Sequence, residues 1–185
     1  MSIKLSDKAE ARLKEKIALY PDPKSAAMWA LYIAQEELGR LDDRAVEWTA
    51  ERLNLSPVNV QELITFYTMY HKEQLGKYHV QICRTLSCAV RGSTKLTECV
   101  RKRFGTKPGQ PSADGMWSYE EVECLGSCGT APMCQINDHF FENLTPQKLT
   151  EILDRIEKEK PDLKLSTIDD RMGEGLKGYP KSQII

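Results

Sequence analysis

Two stretches organise this chain: Tyr78-His-Val-Gln-Ile-Cys83-Arg-Thr-Leu-Ser-Cys88, and Val122-Glu-Cys124-Leu-Gly-Ser-Cys128-Gly-Thr-Ala-Pro-Met-Cys-Gln-Ile-Asn-Asp138. Tyr78 to Cys83 alternates like a half-buried strand, and Trp117 to Cys124 reads as a second one. On this reading Cys83 closes the first strand and Cys88 lies in the loop after it. Cys124 closes the second strand, and Cys128 lies in the loop before a third. Neighbouring strands would bring both loops out at one end of a sheet and let four sulfurs meet. Four thiolates complete the ligand set of a [2Fe-2S] cluster or of a structural zinc ion.

The spacings Cys-x4-Cys and Cys-x3-Cys leave both metals open. The spacers Arg84-Thr-Leu-Ser87 and Leu125-Gly-Ser127 carry small or hydroxylated residues, so backbone N–H groups can approach sulfur, which suits a cluster. They match neither the plant-type ferredoxin spacing nor the Cys-x-x-Cys of a thiol–disulfide enzyme. Cys99, in an expected helix, and Cys134, in an expected strand, read as buried packing thiols. His71, His79 and His139 lack the paired pattern of a histidine-ligated cluster. Arg84 is expected to face solvent.

Outward from these motifs, the first 75 residues follow a helical period. Ser6-Asp7 opens a helix through Tyr20, which Pro21-Asp22-Pro23 breaks. A second runs from Lys24 to Leu38 and stops at Gly39. A third begins at Asp42-Asp43, and a fourth, capped by Ser56 with Pro57 behind it, runs through Tyr70. The last two resemble a helix-turn-helix, but Ser56 to Tyr70 contains Glu62 and no Lys or Arg. A segment without cations cannot read DNA, so a helical packing module is expected. Phe66, Tyr67 and Tyr70 read as helix–helix core.

Beyond Gly76 the expected elements are a strand to Cys83, a helix from Ser93 to Phe104 and a strand from Trp117. Strands from Met133 to Ile136 and His139 to Glu142 follow, then a helix from Pro146 to Lys158. The order β-α-β-β-α is the core of a thioredoxin-like α+β fold. The conformation of the Ala131–Pro132 bond is left open. The expected domains are a helical bundle over 1–75, the sheet domain over 76–159 and a polar tail over 160–185.

Hydrophobic residues make up 41% and charged residues 29% of the 185 residues, and the formal net charge is −1. That balance offers no global field for nucleic acid. No stretch reaches the roughly 20 apolar residues of a membrane span, so no direct membrane insertion is expected. The N-terminus shows no apolar signal core and carries Asp7, Glu10 and Glu15, which predicts a cytoplasmic location. In such a reducing compartment paired cysteines read as metal ligands. No Gly-x-Gly-x-x-Gly, P-loop or catalytic triad is present.

Gly76 to Cys88 and Val122 to Asp138 together resemble the NuoE-type thioredoxin-like [2Fe-2S] subunit of NADH-quinone oxidoreductase, respiratory complex I. The likeness extends through Phe66-Tyr-Thr-Met-Tyr70 and covers residues 10–158. It implies an N-terminal helical bundle followed by a thioredoxin-like [2Fe-2S] ferredoxin domain. Residue by residue, Cys83, Cys88, Cys124 and Cys128 match the family's cluster ligands. The resemblance further implies an electron-transfer subunit of an NADH dehydrogenase with one [2Fe-2S] cluster close to the FMN of a partner flavoprotein. FMN and NADH would bind that partner, and this chain would carry electrons without catalytic residues or an NADH site of its own. A larger iron–sulfur subunit is the other implied partner, in a complex peripheral to the inner membrane. Related subunits serve NAD-linked hydrogenases and formate dehydrogenases. The competing class is a zinc-stabilised structural interaction module.

Overall fold

The computed structural model describes residues 4–163. The expected tail lies outside them from residue 164 onward. The chain divides into two compact units, Met1–Gln74 and Leu75–Ile185.

The first unit is built from α-helices: α1 (Asp7–Ile17), α2 (Ala27–Leu38), α3 (Asp43–Leu53) and α4 (Pro57–Phe66), with a 3-10 turn at Pro23–Ala26. Their starts follow local chemistry. The Ser6, Asp42 and Ser56 side chains each accept an N–H from the first turn of the helix behind them, satisfying donors that have no helical partner. Consecutive helices pack through buried residues such as Leu13, Leu31, Val46, Trp48 and Ile64. The buried indole of Trp48 donates from Nε1 to Glu10 at 2.9 Å, and Arg52 pairs with the same carboxylate at 2.8 Å.

Three boundaries differ from the sequence reading. α1 ends at Ile17 rather than Tyr20, and the second helix begins as a 3-10 turn under Pro23. α4 stops at Phe66, so the aromatic run leaves the helix. Only part of that run is core: Tyr70 is buried and donates its hydroxyl to the Met28 carbonyl at 3.0 Å, whereas Phe66 is 79% exposed. Ending the helix before Tyr67 puts Phe66 on its outer side.

The second unit is a four-stranded sheet in the order β2-β1-β3-β4, with β1 (Tyr78–Cys83), β2 (Trp117–Val122), β3 (Cys134–Ile136) and β4 (His139–Phe141). β1 and β2 are parallel; β1–β3 and β3–β4 are antiparallel. A short helix α5 (Leu86–Val90) and then α6 (Ser93–Phe104) link the parallel pair, and α7 (Pro146–Glu159) follows the hairpin. Alternation sends Tyr78, Val80 and Ile82 into a core with Leu96 and Val100 of α6 and Leu149 and Leu153 of α7. Phe104 stacks on Trp117 at 5.0 Å. Among the described residues no helix is long and apolar enough to cross a membrane.

The hairpin holds a pH-sensitive group. His139 is buried, and its Nε2 has no hydrogen-bond partner. Burial lowers its pKa below the ordinary 6.5, and the nearby Asp162 carboxylate opposes that only in part. The unfolded chain therefore binds the proton more readily, so this contribution to stability is complete above the ordinary histidine pKa. It is lost as pH falls below that value toward the lower folded pKa. Acidifying from pH 7.5 to 5.5 should lower the melting temperature of the wild-type protein, and His139→Phe should flatten that slope in calorimetry. An unchanged slope in the variant would show that His139 does not contribute.

Candidate metal centre

The parallel pairing of β1 and β2 settles where the cysteine loops lie. Cys83 is in register with Val122, so both strands finish at the same end of the sheet. Cys83 closes β1 as expected. Cys124 does not close β2, which ends two residues earlier at Val122. Nor does Cys88 occupy a loop: it lies within α5, whose five residues are too few for a helical period to register in sequence. Cys128 opens a 3-10 turn, Cys128–Thr130. The cis bond between Ala131 and Pro132 leads into β3, which begins at Cys134 rather than Met133.

The four thiols stand as two pairs at this end. Cys124 and Cys128 are exposed, with sulfurs 3.6 Å apart. Cys83 and Cys88 are buried, hydrogen-bonded to each other and packed with Ala131 and Met133, with Leu125 at the edge of the same cluster. Among the described residues no three His, Cys, Asp or Glu side chains gather around a single metal-ion position.

Donors converge on these sulfurs from both loops. Burial disfavours a Cys83 thiolate, yet the N–H groups of Leu125 and Thr85, with Cys88 and the Thr85 hydroxyl, hold its pKa below the ordinary value. The Leu125 donor comes from the other cysteine loop. In return, Ser87 of α5 hydrogen-bonds Cys128. Burial and the adjacent Cys83 push the Cys88 thiol up to about 11. Cys128 is raised by its hydrogen bond to Cys124 and by the charge there. Gly126 donates its N–H to Cys124 at 3.4 Å from a left-handed conformation, φ 84°, which a side chain would strain. These N–H groups fit a thiolate-held cluster because they stabilise the negative charge its sulfurs carry.

Other residues fall where packing sends them. Cys134 is fully buried in the core on the other side of β3, and burial raises its pKa. Cys99 is only half-buried, with its sulfur 3.5 Å from Thr150 Oγ1. Arg84 is exposed, as expected, but paired with Glu123 at 2.7 Å. His79 bridges Ser118 at 2.8 Å and Glu120 at 3.0 Å, back from the cysteines along β1. The sequence reading missed three features: the Ser127 hydroxyl bonding Glu142 and Thr130, exposed Leu86 and Val90 flanking Cys88, and Arg91 reaching Ala131. Only the Leu86–Val90 spacing carries a local signal, one helical turn.

A family model described as thioredoxin-like [2Fe-2S] ferredoxin matches residues 13–157. The chain belongs to that family. Its cofactor is one [2Fe-2S] cluster. Among relatives, an E-type NADH-quinone oxidoreductase subunit of Rhizobium meliloti (strain 1021) is 40% identical over 137 residues, covering 74% of this chain and 82% of that one. The corresponding subunit of Rickettsia conorii (strain ATCC VR-613 / Malish 7) is 36% identical over 157 residues, covering 83% and 94%. An NAD+-reducing [NiFe]-hydrogenase, in a crystal structure of the air-oxidized state, superposes with a TM-score of 0.62 at 20% identity. The match covers 71% of this chain but only 23% of the hydrogenase chain, and it speaks for the fold alone. This thioredoxin-like [2Fe-2S] ferredoxin is thus an electron-transfer subunit of an NADH dehydrogenase.

Proposed function

We propose that Cys83, Cys88, Cys124 and Cys128 hold the [2Fe-2S] cluster and that the chain accepts single electrons from reduced FMN on a flavoprotein partner. The observation that carries this reading is the pairing of thiols at the shared end of β1 and β2, cross-linked by the Leu125 N–H on Cys83 and by Ser87 on Cys128. Two pairs suit two irons, each needing two thiolates beside the bridging sulfides. The bound cluster supplies a one-electron couple. The residues of this chain place the sulfurs, aim N–H groups at them and keep water from the buried pair.

The asymmetry of burial sets a direction. Cys83 and Cys88 face Ala131 and Met133, while Cys124 and Cys128 open to the surface. Flanking Cys88 in α5, Leu86 and Val90 stand 75% and 77% exposed, an apolar pair on one side of that helix. The flavoprotein docks on this face in our reading, and the helical bundle of residues 1–75 meets the larger iron–sulfur subunit. The assembly lies in the cytoplasm, peripheral to the inner membrane. FMN and NADH stay on the flavoprotein, since no nucleotide-binding motif stands in this sequence.

Anaerobically purified protein should be reddish-brown, contain two iron and two acid-labile sulfides per chain, and give the EPR signal of a reduced [2Fe-2S] cluster after dithionite. A colourless chain with one zinc would defeat the proposal. Replacing both Leu86 and Val90 with lysine should leave that spectrum unchanged but weaken co-purification of the flavoprotein at least tenfold, because two exposed apolar anchors are lost. Undiminished co-purification would move the docking face elsewhere. The identity of the co-purifying subunits separates a quinone reductase from a hydrogenase or formate dehydrogenase.

A further inference from the structure

Arg91 stands three residues beyond Cys88, at the C-terminal end of α5, and its Nε donates to the carbonyl of Ala131 at 2.6 Å. Ala131 stands three residues beyond Cys128. One side chain thus ties the helix of one thiol pair to the turn of the other. We infer that Arg91 is a positioning residue for the iron–sulfur centre, clamping the two cysteine loops together and holding a positive charge at the turn that follows Cys128. The inference rests on the ligand assignment proposed above and deepens it.

Other bonds also join the two loops. Arg84 and Thr85 reach Glu123, just ahead of Cys124, without touching sulfur, whereas the Leu125 N–H and the Ser87 hydroxyl cross to Cys83 and Cys128 and end on sulfur atoms. Sulfurs that bind iron must redirect their lone pairs, so those links change when the cluster is present. The Arg91 bond touches no sulfur and ends on a backbone carbonyl, so it holds the loops in either condition. α5 has few other anchors: it is five residues long, Leu86 and Val90 point to solvent, and Cys88 is its buried residue.

Charge supplies the second half. A guanidinium is a cation throughout the physiological range. Arg84, the other arginine near the site, is paired with Glu123 at 2.7 Å, so its charge is largely offset locally. Among the described residues Arg91 has no carboxylate partner, and the Nε bond to Ala131 is its side chain's one hydrogen bond. Four thiolates around two irons gain one negative charge on reduction, and a fixed cation nearby favours that form. Arg91 is solvent-exposed, so screening keeps the effect moderate.

The test compares full-length wild type with Arg91→Met and Arg91→Lys after reconstitution with iron and sulfide. Two readouts are followed: cluster loss in the presence of a chelator and midpoint potential from EPR-monitored redox titration. In Arg91→Met the cluster should be lost at least threefold faster. Its reduction equilibrium should shift threefold to tenfold toward the oxidised form, about 59 mV marking tenfold for one electron. Arg91→Lys retains the charge and should restore the potential to within about twofold of wild type in equilibrium terms. A merely structural arginine would move the loss rate but not the potential. Should Arg91→Met fail to fold by circular dichroism, Arg91→Gln takes its place in the same assays. Wild-type potential and retention in the neutral variant would overturn the inference, as would an Arg91→Lys potential as low as that of the neutral variant. A wild-type chain that takes up no [2Fe-2S] cluster would instead overturn the ligand assignment beneath it.

Discussion

Cys88→Ser is expected to strip the chain of its [2Fe-2S] cluster, with iron and acid-labile sulfide falling below a tenth of the wild-type content. A serine hydroxyl holds its proton at neutral pH and offers iron a hard oxygen on a shorter bond. The site gives it little room to adapt, because Cys88 is buried against Ala131 and Met133 beside Cys83. The comparison that gives this result meaning is with the two cysteines outside the pairs. Cys99→Ser should keep the full cluster content and an unchanged EPR spectrum, since its sulfur lies by Thr150 between α6 and α7. Cys134→Ser buries a hydroxyl in the apolar core and should cost about 1–3 kcal/mol of stability without changing iron per folded chain. A Cys88→Ser protein with full iron and the wild-type EPR signal would remove Cys88 from the ligand set. Loss of the cluster in Cys99→Ser would do the same to the whole assignment.

Gly76→Ala should be the most damaging single methyl in the sheet unit. A Cβ built on Gly76 would lie 2.3 Å from the carbonyl carbon of Trp117 and 2.7 Å from the Ser118 nitrogen, both backbone atoms of β2. No side-chain rotation relieves a clash with a neighbouring strand's backbone, so the start of β1 must move away. That movement strains the bond from the Gly76 N–H to the Ser118 hydroxyl, 3.0 Å, and the first rungs from Lys77 to Gly115 and Tyr78 to Met116. Overpacking of this kind costs about 3 kcal/mol, which for a unit of this size lowers the melting temperature by roughly 10 °C or more. Gly129→Ala is the control: a Cβ there meets nothing within 4 Å, and its backbone is not left-handed. Thermal unfolding should separate the two variants clearly. Equal melting temperatures would mean that β1 and β2 tolerate a wider separation than their register suggests.

How much of this was legible in the chain follows from the range over which each signal acts. The starts of α1, α3, α4 and α7 could be read because a capping side chain and its target N–H lie within three residues of each other. β1 could be read because Tyr78, Val80 and Ile82 alternate with the polar His79 and Gln81, although in the fold the strand is buried on both faces. α5 could not, since five residues complete barely more than one turn and the single Leu86–Val90 spacing is too little to establish a period. The aromatic run misled for a related reason: the period counts Phe66, Tyr67 and Tyr70 alike, while the helix ends between the first and second of them. In the site, the cysteine spacing was plain. The bond from Arg91 to Ala131 spans 40 residues, and no local pattern announces a partner that far away.

The sequence by itself determined which thiols this protein can offer a metal: two close pairs of cysteines whose spacers carry small or hydroxylated residues, with Cys99 and Cys134 set apart. It also determined the family, because both motifs keep their spacing and flanks. Only the tertiary structure decided that the pairs share one end of the sheet, since that depends on β2 lying parallel to β1. Only it decided that one pair is buried and the other exposed at the surface, because burial depends on what packs against each loop. Spacing along a chain sets which side chains stay close under any fold. Strand pairing and packing set which distant ones meet, and a four-thiol centre needs both.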